Sequence, residues 1–281
     1  MVTFLYHDNP IVENIGDSLC TPKLYFDFKS EAPVRIVGGG SISDYWVRRK
    51  ELSLPGINVA WGIGRSVRPE QSLKFVKKYF LKKEISKIYT VSSTRDPSFS
   101  DKNVFLVPCV SVFNAITDLP VGDKLGLFLN SNKDVSGNNI NQIINKYIGN
   151  RPEIVIGSNS LCYDDFLELF KHTNEIITNS YHIAYWSLLS GRRVRLLGYS
   201  SKFADLLNLF KISTENMFLY KRGDYRQMLV AIDNAFNENK SIAAHSYFKE
   251  QFRSMNLEFA SLLNNYGVSV HLKPAIKNYI Q

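Results

Sequence analysis

Cysteine is scarce in this chain. Three residues among 281, Cys20, Cys109 and Cys162, stand far apart and in no C-x-x-C spacing. Such a set argues against a disulfide framework and a cysteine zinc site, and points to a reducing compartment. No window of 18 or more residues is continuously apolar, so no membrane-spanning helix is expected. The opening MVTFLYHDNP has no basic stretch followed by an apolar one, so no signal peptide is expected. Internal repeats and low-complexity tracts are absent. So are the G-x-G-x-x-G and Walker A patterns that mark common nucleotide sites. No histidine, cysteine and acid cluster suggests a metal. The expected location is cytoplasmic, with contact at the inner face of a membrane as an extension of that reading.

What is present is a globular composition. Hydrophobic residues make up 44% and charged residues 21%, with 18 Phe, 15 Tyr and 3 Trp. A chain of this size can bury roughly 70–75% of its unfolded surface without a staple. The net charge of +8 fits an acidic partner: a phosphorylated substrate, an anionic membrane face or nucleic acid. No nucleic-acid-binding signature accompanies it, so nucleic acid is not expected.

Short apolar runs alternate with helical stretches. The runs are Met1–Tyr6, Val34–Val37, Asn58–Trp61, Lys87–Val91, Val104–Val107, Lys124–Leu129, Glu153–Ile156, Glu175–Thr178 and Val194–Leu197. Several are apolar on successive residues, as parallel strands covered on both faces are. Helical spacing occurs in Pro69–Lys83, Asn138–Ile148, Asp164–His172 and His182–Ser190, the last closed by Gly191. The alternation predicts an α/β protein with open parallel sheets. Pro120 and Gly122 in TDLPVGDK (Thr117–Lys124) mark the expected boundary. The predicted architecture is two Rossmann-like domains facing a cleft, 1–118 and 119–245. A helical tail, 246–281, would pack back on the first domain, and the chain reads as wholly helical from about Asp224.

Ligands of open α/β sheets bind where strands turn into helices. After the first strand stand Asn14, Ile15, Gly16 and Asp17. Gly16 admits a close ligand, and Asn14 and Asp17 offer an amide and a carboxylate; the same residues also suit a helix N-cap. Gly38, Gly39 and Gly40 follow the second strand, and Trp61-Gly62-Ile63-Gly64 a neighbouring one. Both can expose backbone N–H groups, or serve only as tight connections. Arg95 can clamp a carboxylate or phosphate, or pair at the surface with Asp96 or Asp101. In Thr178-Asn179-Ser180-Tyr181-His182 the histidine opens a helix, where anions are favoured and a general acid or base can work; a structural histidine is the alternative. Ser200, Ser201 and Lys202 could cradle a phosphate or simply cap a helix. Pro69–Lys83 carries Lys74, Lys77, Lys78, Lys82 and Lys83. That suits an anionic membrane face, or a solvated helix face.

The ordered set of these turns, with Pro108-Cys109-Val110-Ser111, resembles the polysaccharide pyruvyl transferase family. It spans roughly Met1 to Lys202. The resemblance implies a fold like the type B glycosyltransferases and no cofactor, with phosphoenolpyruvate as co-substrate. It implies a ketal formed on a sugar of a bacterial surface polysaccharide or of its lipid-linked precursor. His182 and Asp17 would then be catalytic. Arg95, Ser180, Tyr181, Ser200, Ser201 and Lys202 would bind the donor, and Asn14, Gly38, Gly39 and Gly40 the acceptor. The family's R-x-H pattern has Ser180 in place of its arginine. Arg95, Arg192, Arg193 or Lys202 would therefore have to supply that charge. The alternative reading is a type B glycosyltransferase with a nucleotide-sugar donor.

Overall fold

A computed structural model describes residues 1–5, 14–40, 50–67, 87–138, 140–149 and 151–280. The basic stretch Pro69–Lys83 lies outside the described residues. The chain divides into two compact units. Unit 1 takes in the described residues of 1–8 and 17–113, and the C-terminal segment from Lys249; unit 2 takes in those of 9–16 and Asn114–Phe248.

Unit 1 is built on a five-stranded parallel sheet. Its described strands are β1 (Val2–Leu5), β3 (Val34–Gly38), β4 (Ile57–Ile63), β5 (Val91–Thr94) and β6 (Phe105–Leu106), in that spatial order. Strand β2 (Phe26–Lys29) lies outside this sheet. Every residue of β3 is buried, as its continuous apolar run requires. Arg35 in that strand donates to Leu54 O, Pro55 O and Asn58 Oδ1 at 3.0–3.1 Å, which is how a buried guanidinium is tolerated.

One strand lies later than its apolar pattern predicts. Lys87 and Ile88 are helical, and β5 is the polar run Val91-Ser92-Ser93-Thr94. Its hydroxyls serve the irregular part of β4 between Ala60 and Ile63. Ser93 Oγ accepts from Gly62 N–H at 2.9 Å, and Thr94 Oγ1 donates to Ile63 O at 2.8 Å. A polar strand can be buried when a neighbour's backbone needs its side chains.

Unit 2 carries a second five-stranded parallel sheet. Its strands are β7 (Lys124–Leu129), β8 (Val155–Ser158), β9 (Thr173–Thr178), β10 (Arg193–Gly198) and the unpredicted β11 (Phe218–Leu219). The spatial order is β11-β10-β9-β7-β8, so the winding reverses between β7 and β9. The helices, numbered from α1 (Ile15–Ser18), are α2 (Lys133–Ser136), α3 (Ile140–Ile148), α4 (Tyr163–Phe170), α5 (Tyr181–Leu189), α6 (Ser201–Leu209) and α7 (Tyr225–Asn237). Asp224 caps α7 by accepting from Gln227 N–H at 3.0 Å. Gly191, just past α5, takes a left-handed φ of +80°. All nine residues of α5 are buried, so its faces have no polar stripe.

The C-terminal segment is not wholly helical. After α8 (Tyr247–Leu262), strand β12 (Ser269–Leu272) pairs antiparallel with β2, and α9 (Pro274–Ile280) follows. Only Val270 of β12 is buried, so a short edge pairing replaces the apolar run that would announce a strand. Within unit 1, α8 packs on β4 through Phe259, 5.0 Å from the Trp61 ring. Asn256 completes that contact. Its Oδ1 accepts from Trp61 Nε1 at 2.8 Å, and its Nδ2 donates to Pro108 O at 3.2 Å and Phe252 O at 2.9 Å. Replacing Asn256 with leucine keeps the volume but leaves a buried indole N–H and a carbonyl without partners. A loss of about 2–3 kcal/mol is expected in urea unfolding.

Candidate functional site

Ligands favour the carboxyl ends of parallel strands at a reversal of winding. In unit 2 that place is the end of β7 and β9, with β8 beside them. All three strands are followed by the same dipeptide: Asn130-Ser131, Asn159-Ser160 and Asn179-Ser180. The asparagines knit the ends together. Asn179 Oδ1 accepts from Asn130 N–H at 2.7 Å, and Asn159 Oδ1 accepts from Ser131 N–H at 2.8 Å. Asn159 N–H donates to Leu129 O at 3.1 Å, and Asn179 Nδ2 donates to Tyr220 Oη at 3.0 Å. Ser131 Oγ is buried with no hydrogen-bond partner among the described residues.

His182 sits on the first turn of α5, 5% exposed. Its ring stacks on Trp186 with centroids 5.7 Å apart and meets Tyr181 edge-on at 5.3 Å. The Asn14–Gly16 segment lies over it. Ile15 N–H donates to Asn159 O at 2.9 Å, and Asn14 Oδ1 accepts from Gly16 N–H at 3.1 Å. A Cβ on Gly16 would overlap Nδ1 of His182. The close approach that needs this glycine is therefore made by the protein's own imidazole. Asn14, Ser180, Tyr181 and His182 thus share one place. Asp17 begins the part of the chain assigned to unit 1, and its carbonyl accepts from Cys20 Sγ at 3.1 Å.

The next strand end, after β10, opens α6. The N-cap serines of α5 and α6, Ser180 and Ser200, make no side-chain cap hydrogen bond. The two helices pack against each other. Two cations flank this edge. Lys202 donates to Tyr199 Oη at 2.7 Å and lies 4.7 Å from that ring's centroid; the Arg222 guanidinium is 5.9 Å from the same ring. Tyr220 packs edge-on to Tyr199 at 5.5 Å, and burial pushes its phenol up, so it remains a hydroxyl.

Two arginines expected to supply donor charge are elsewhere. Arg192 precedes β10 and Arg193 is its first residue, at the opposite end of that strand from Ser200 and Lys202. Arg192 donates to Leu119 O, Pro120 O, Phe170 O and Thr173 Oγ1, and Arg193 pairs with Glu175. These partners fix them to the body of unit 2.

In unit 1, the glycine turns and Arg95 gather at the carboxyl ends of β3, β4 and β5. A Cβ on Gly38 would meet Pro22, one on Gly39 would meet Cys20, and one on Gly64 would meet the Arg95 guanidinium. Gly39 and Gly40 have φ of +64° and +72°, and Gly40 O accepts from Gly64 N–H at 2.9 Å. Arg95 is 2% exposed, so it does not stand at the surface. Burial pushes the Cys20 thiol well up, with Cys109 and Asp17 adding to the shift and Arg95 opposing it. Burial also raises Cys109, whose Sγ lies 3.2 Å from Ser111 Oγ. Both are held as thiols, not as nucleophilic thiolates.

No protein-family model matches the chain, and no curated protein sequence does. Among solved structures, the chain is similar to the wall teichoic acid polymerase TagF and to a histidine-to-alanine variant of it. Each match has 11% identity and a TM-score of 0.33, and covers 81% of this chain and 67% of the other. Among the described residues, no helix is long and apolar enough to cross a membrane.

Proposed function

We propose that the chain is a transferase of polysaccharide assembly whose donor is a nucleoside-diphosphate sugar held at the carboxyl edge of the unit 2 sheet. The observation that carries this reading is the convergence there of three Asn-Ser strand ends with the N-termini of α5 and α6. A diphosphate spreads charge over several oxygens, and adjacent helix N-termini offer several N–H donors to it. Lys202 and Arg222 add cations beside Tyr199. His182 accepts the proton of the acceptor hydroxyl as its oxygen bonds to the sugar's anomeric carbon. The bond from that carbon to the diphosphate oxygen breaks, and its electron pair leaves with the diphosphate. The acceptor belongs to a surface polysaccharide or its lipid-linked precursor.

One observation favours the second reading, pyruvyl transfer from phosphoenolpyruvate. Two motifs of the family resemblance, Asn14-Ile15-Gly16 and Ser180-Tyr181-His182, meet at the Gly16–His182 contact. In that reaction the donor methylene is protonated, a sugar hydroxyl attacks C2, phosphate leaves and a second hydroxyl closes the ketal.

Thermal unfolding with UDP, GDP and phosphoenolpyruvate separates the readings. A ligand at about 100 times its Kd adds roughly 2.7 kcal/mol. A shift with UDP or GDP, lost in Lys202→Ala and Arg222→Ala, is the expected result. A shift with phosphoenolpyruvate alone transfers the assignment to pyruvyl transfer, and no shift with any of the three overturns both.

A further inference from the structure

We infer that unit 1 carries a binding site for an anionic amphiphile, an aliphatic chain ending in a phosphate, in the cavity along β1 and β2. The inference goes beyond the transferase reading and does not depend on which donor is used. The cavity has a volume of about 560 Å³, within the range of small-molecule sites. Its apolar wall is made by Phe4 of β1 and Phe28 of β2, backed by Phe26, which is 2% exposed and packs on Trp61 at 5.1 Å. Phe26 and Phe28, two apart on one strand, line the same side. These rings meet edge to face: Phe4 and Phe28 at 5.3 Å and 70°, Phe26 and Phe28 at 6.4 Å and 66°. A corrugated wall of this kind suits a flexible chain better than a flat base, which needs an open ring face to stack on.

The polar side of the cavity is cationic. Lys23, Lys29 and Lys273 line it against one carboxylate, Asp27. Lys273 Nζ is fixed by donating to Lys23 O at 2.8 Å, which leaves two of its three donors for a ligand. Ser30 also lines the cavity; its Oγ is buried and has no hydrogen-bond partner among the described residues. Ammonium groups on flexible stems bind a phosphate monoester as point charges, without the fork geometry that an arginine would impose. Apolar wall and cationic rim together select a ligand with a chain at one end and a phosphate at the other.

The test is calorimetric titration of the whole chain with dodecyl phosphate, kept below its micelle-forming concentration. Inorganic phosphate, dodecyl maltoside and phosphatidylglycerol vesicles are run in parallel. Saturable binding of dodecyl phosphate is expected, at least tenfold tighter than either inorganic phosphate or dodecyl maltoside. It should weaken at least tenfold in the double variant Lys23→Gln, Lys29→Gln and recover in Lys23→Arg, Lys29→Arg. Both lysines are exposed, so the variants should fold, and circular dichroism checks this. Equal binding of wild type and the glutamine variant overturns the site. So does phosphate binding as tight as dodecyl phosphate, which marks a headgroup-only site. Binding to the vesicles without binding to dodecyl phosphate overturns it as well, in favour of membrane adsorption.

Discussion

Replacing His182 with glutamine should lower transfer by a factor of about 10²–10⁴ and leave the unfolding midpoint nearly unchanged. Glutamine fills much of the same volume on the first turn of α5 but cannot accept a proton near neutral pH. Initial rates of acceptor-dependent UDP release, or of phosphate release if phosphoenolpyruvate is the donor, measure the effect. Gly16→Ala tests the same group from outside. The added Cβ runs into the imidazole, so the histidine is kept but must shift. A 1 Å misplacement can cost about 10²-fold, so a loss of that order is expected. Wild-type turnover in His182→Gln would remove the histidine from the chemistry.

The alternation of apolar runs and helical spacing located most of the strands in both sheets, because parallel strands covered on both faces need continuous apolar residues. The same criterion misplaced β5 and missed β2, β11 and β12. Strand β5 carries Ser92, Ser93 and Thr94, whose burial depends on the irregular backbone of β4, a partner some thirty residues away in sequence. Strands β11 and β12 are short and lie at edges, where pairing is set by a neighbour more than by local composition. The order β11-β10-β9-β7-β8 could not be read from the sequence, since nothing local records which strands become neighbours.

The candidate site was legible in part. His182, Ser180 and Lys202 could be singled out because strand-to-helix turns are where open sheets bind ligands. The Asn-Ser dipeptide that recurs at Asn130, Asn159 and Asn179 was equally visible in the sequence. It gains meaning only once β7, β8 and β9 are known to lie side by side. Gly16 was recognised as a point of close approach, but its partner, the His182 ring, lies far along the chain. The arginines show the reverse problem. Type and spacing made Arg192 a candidate for donor charge, and only the fold reveals that backbone carbonyls take up its donors.

Arg192 is 0% exposed, and burial pulls its guanidinium down to about 10, so it remains a cation at neutral pH. Its partners are neutral oxygens: Leu119 O at 3.4 Å, Pro120 O at 2.5 Å, Phe170 O at 3.2 Å and Thr173 Oγ1 at 3.2 Å. The guanidinium carbon also lies 4.2 Å from the centroid of the Phe170 ring. One side chain thus ties the lead-in to β7 to the end of α4 and the start of β9. Alanine would leave the buried Phe170 O and the partly buried Leu119 and Pro120 contacts short of a donor, and open a cavity under Phe170. A loss of about 3–5 kcal/mol is expected in urea unfolding, against total stabilities of about 5–15 kcal/mol for a domain. Methionine restores the stem but none of the donors, so Arg192→Met should recover only part of that loss. Nucleotide affinity, measured where the variants remain folded, should match wild type. A tenfold loss of UDP affinity in folded Arg192→Met would return this residue to the donor site and contradict its placement before β10.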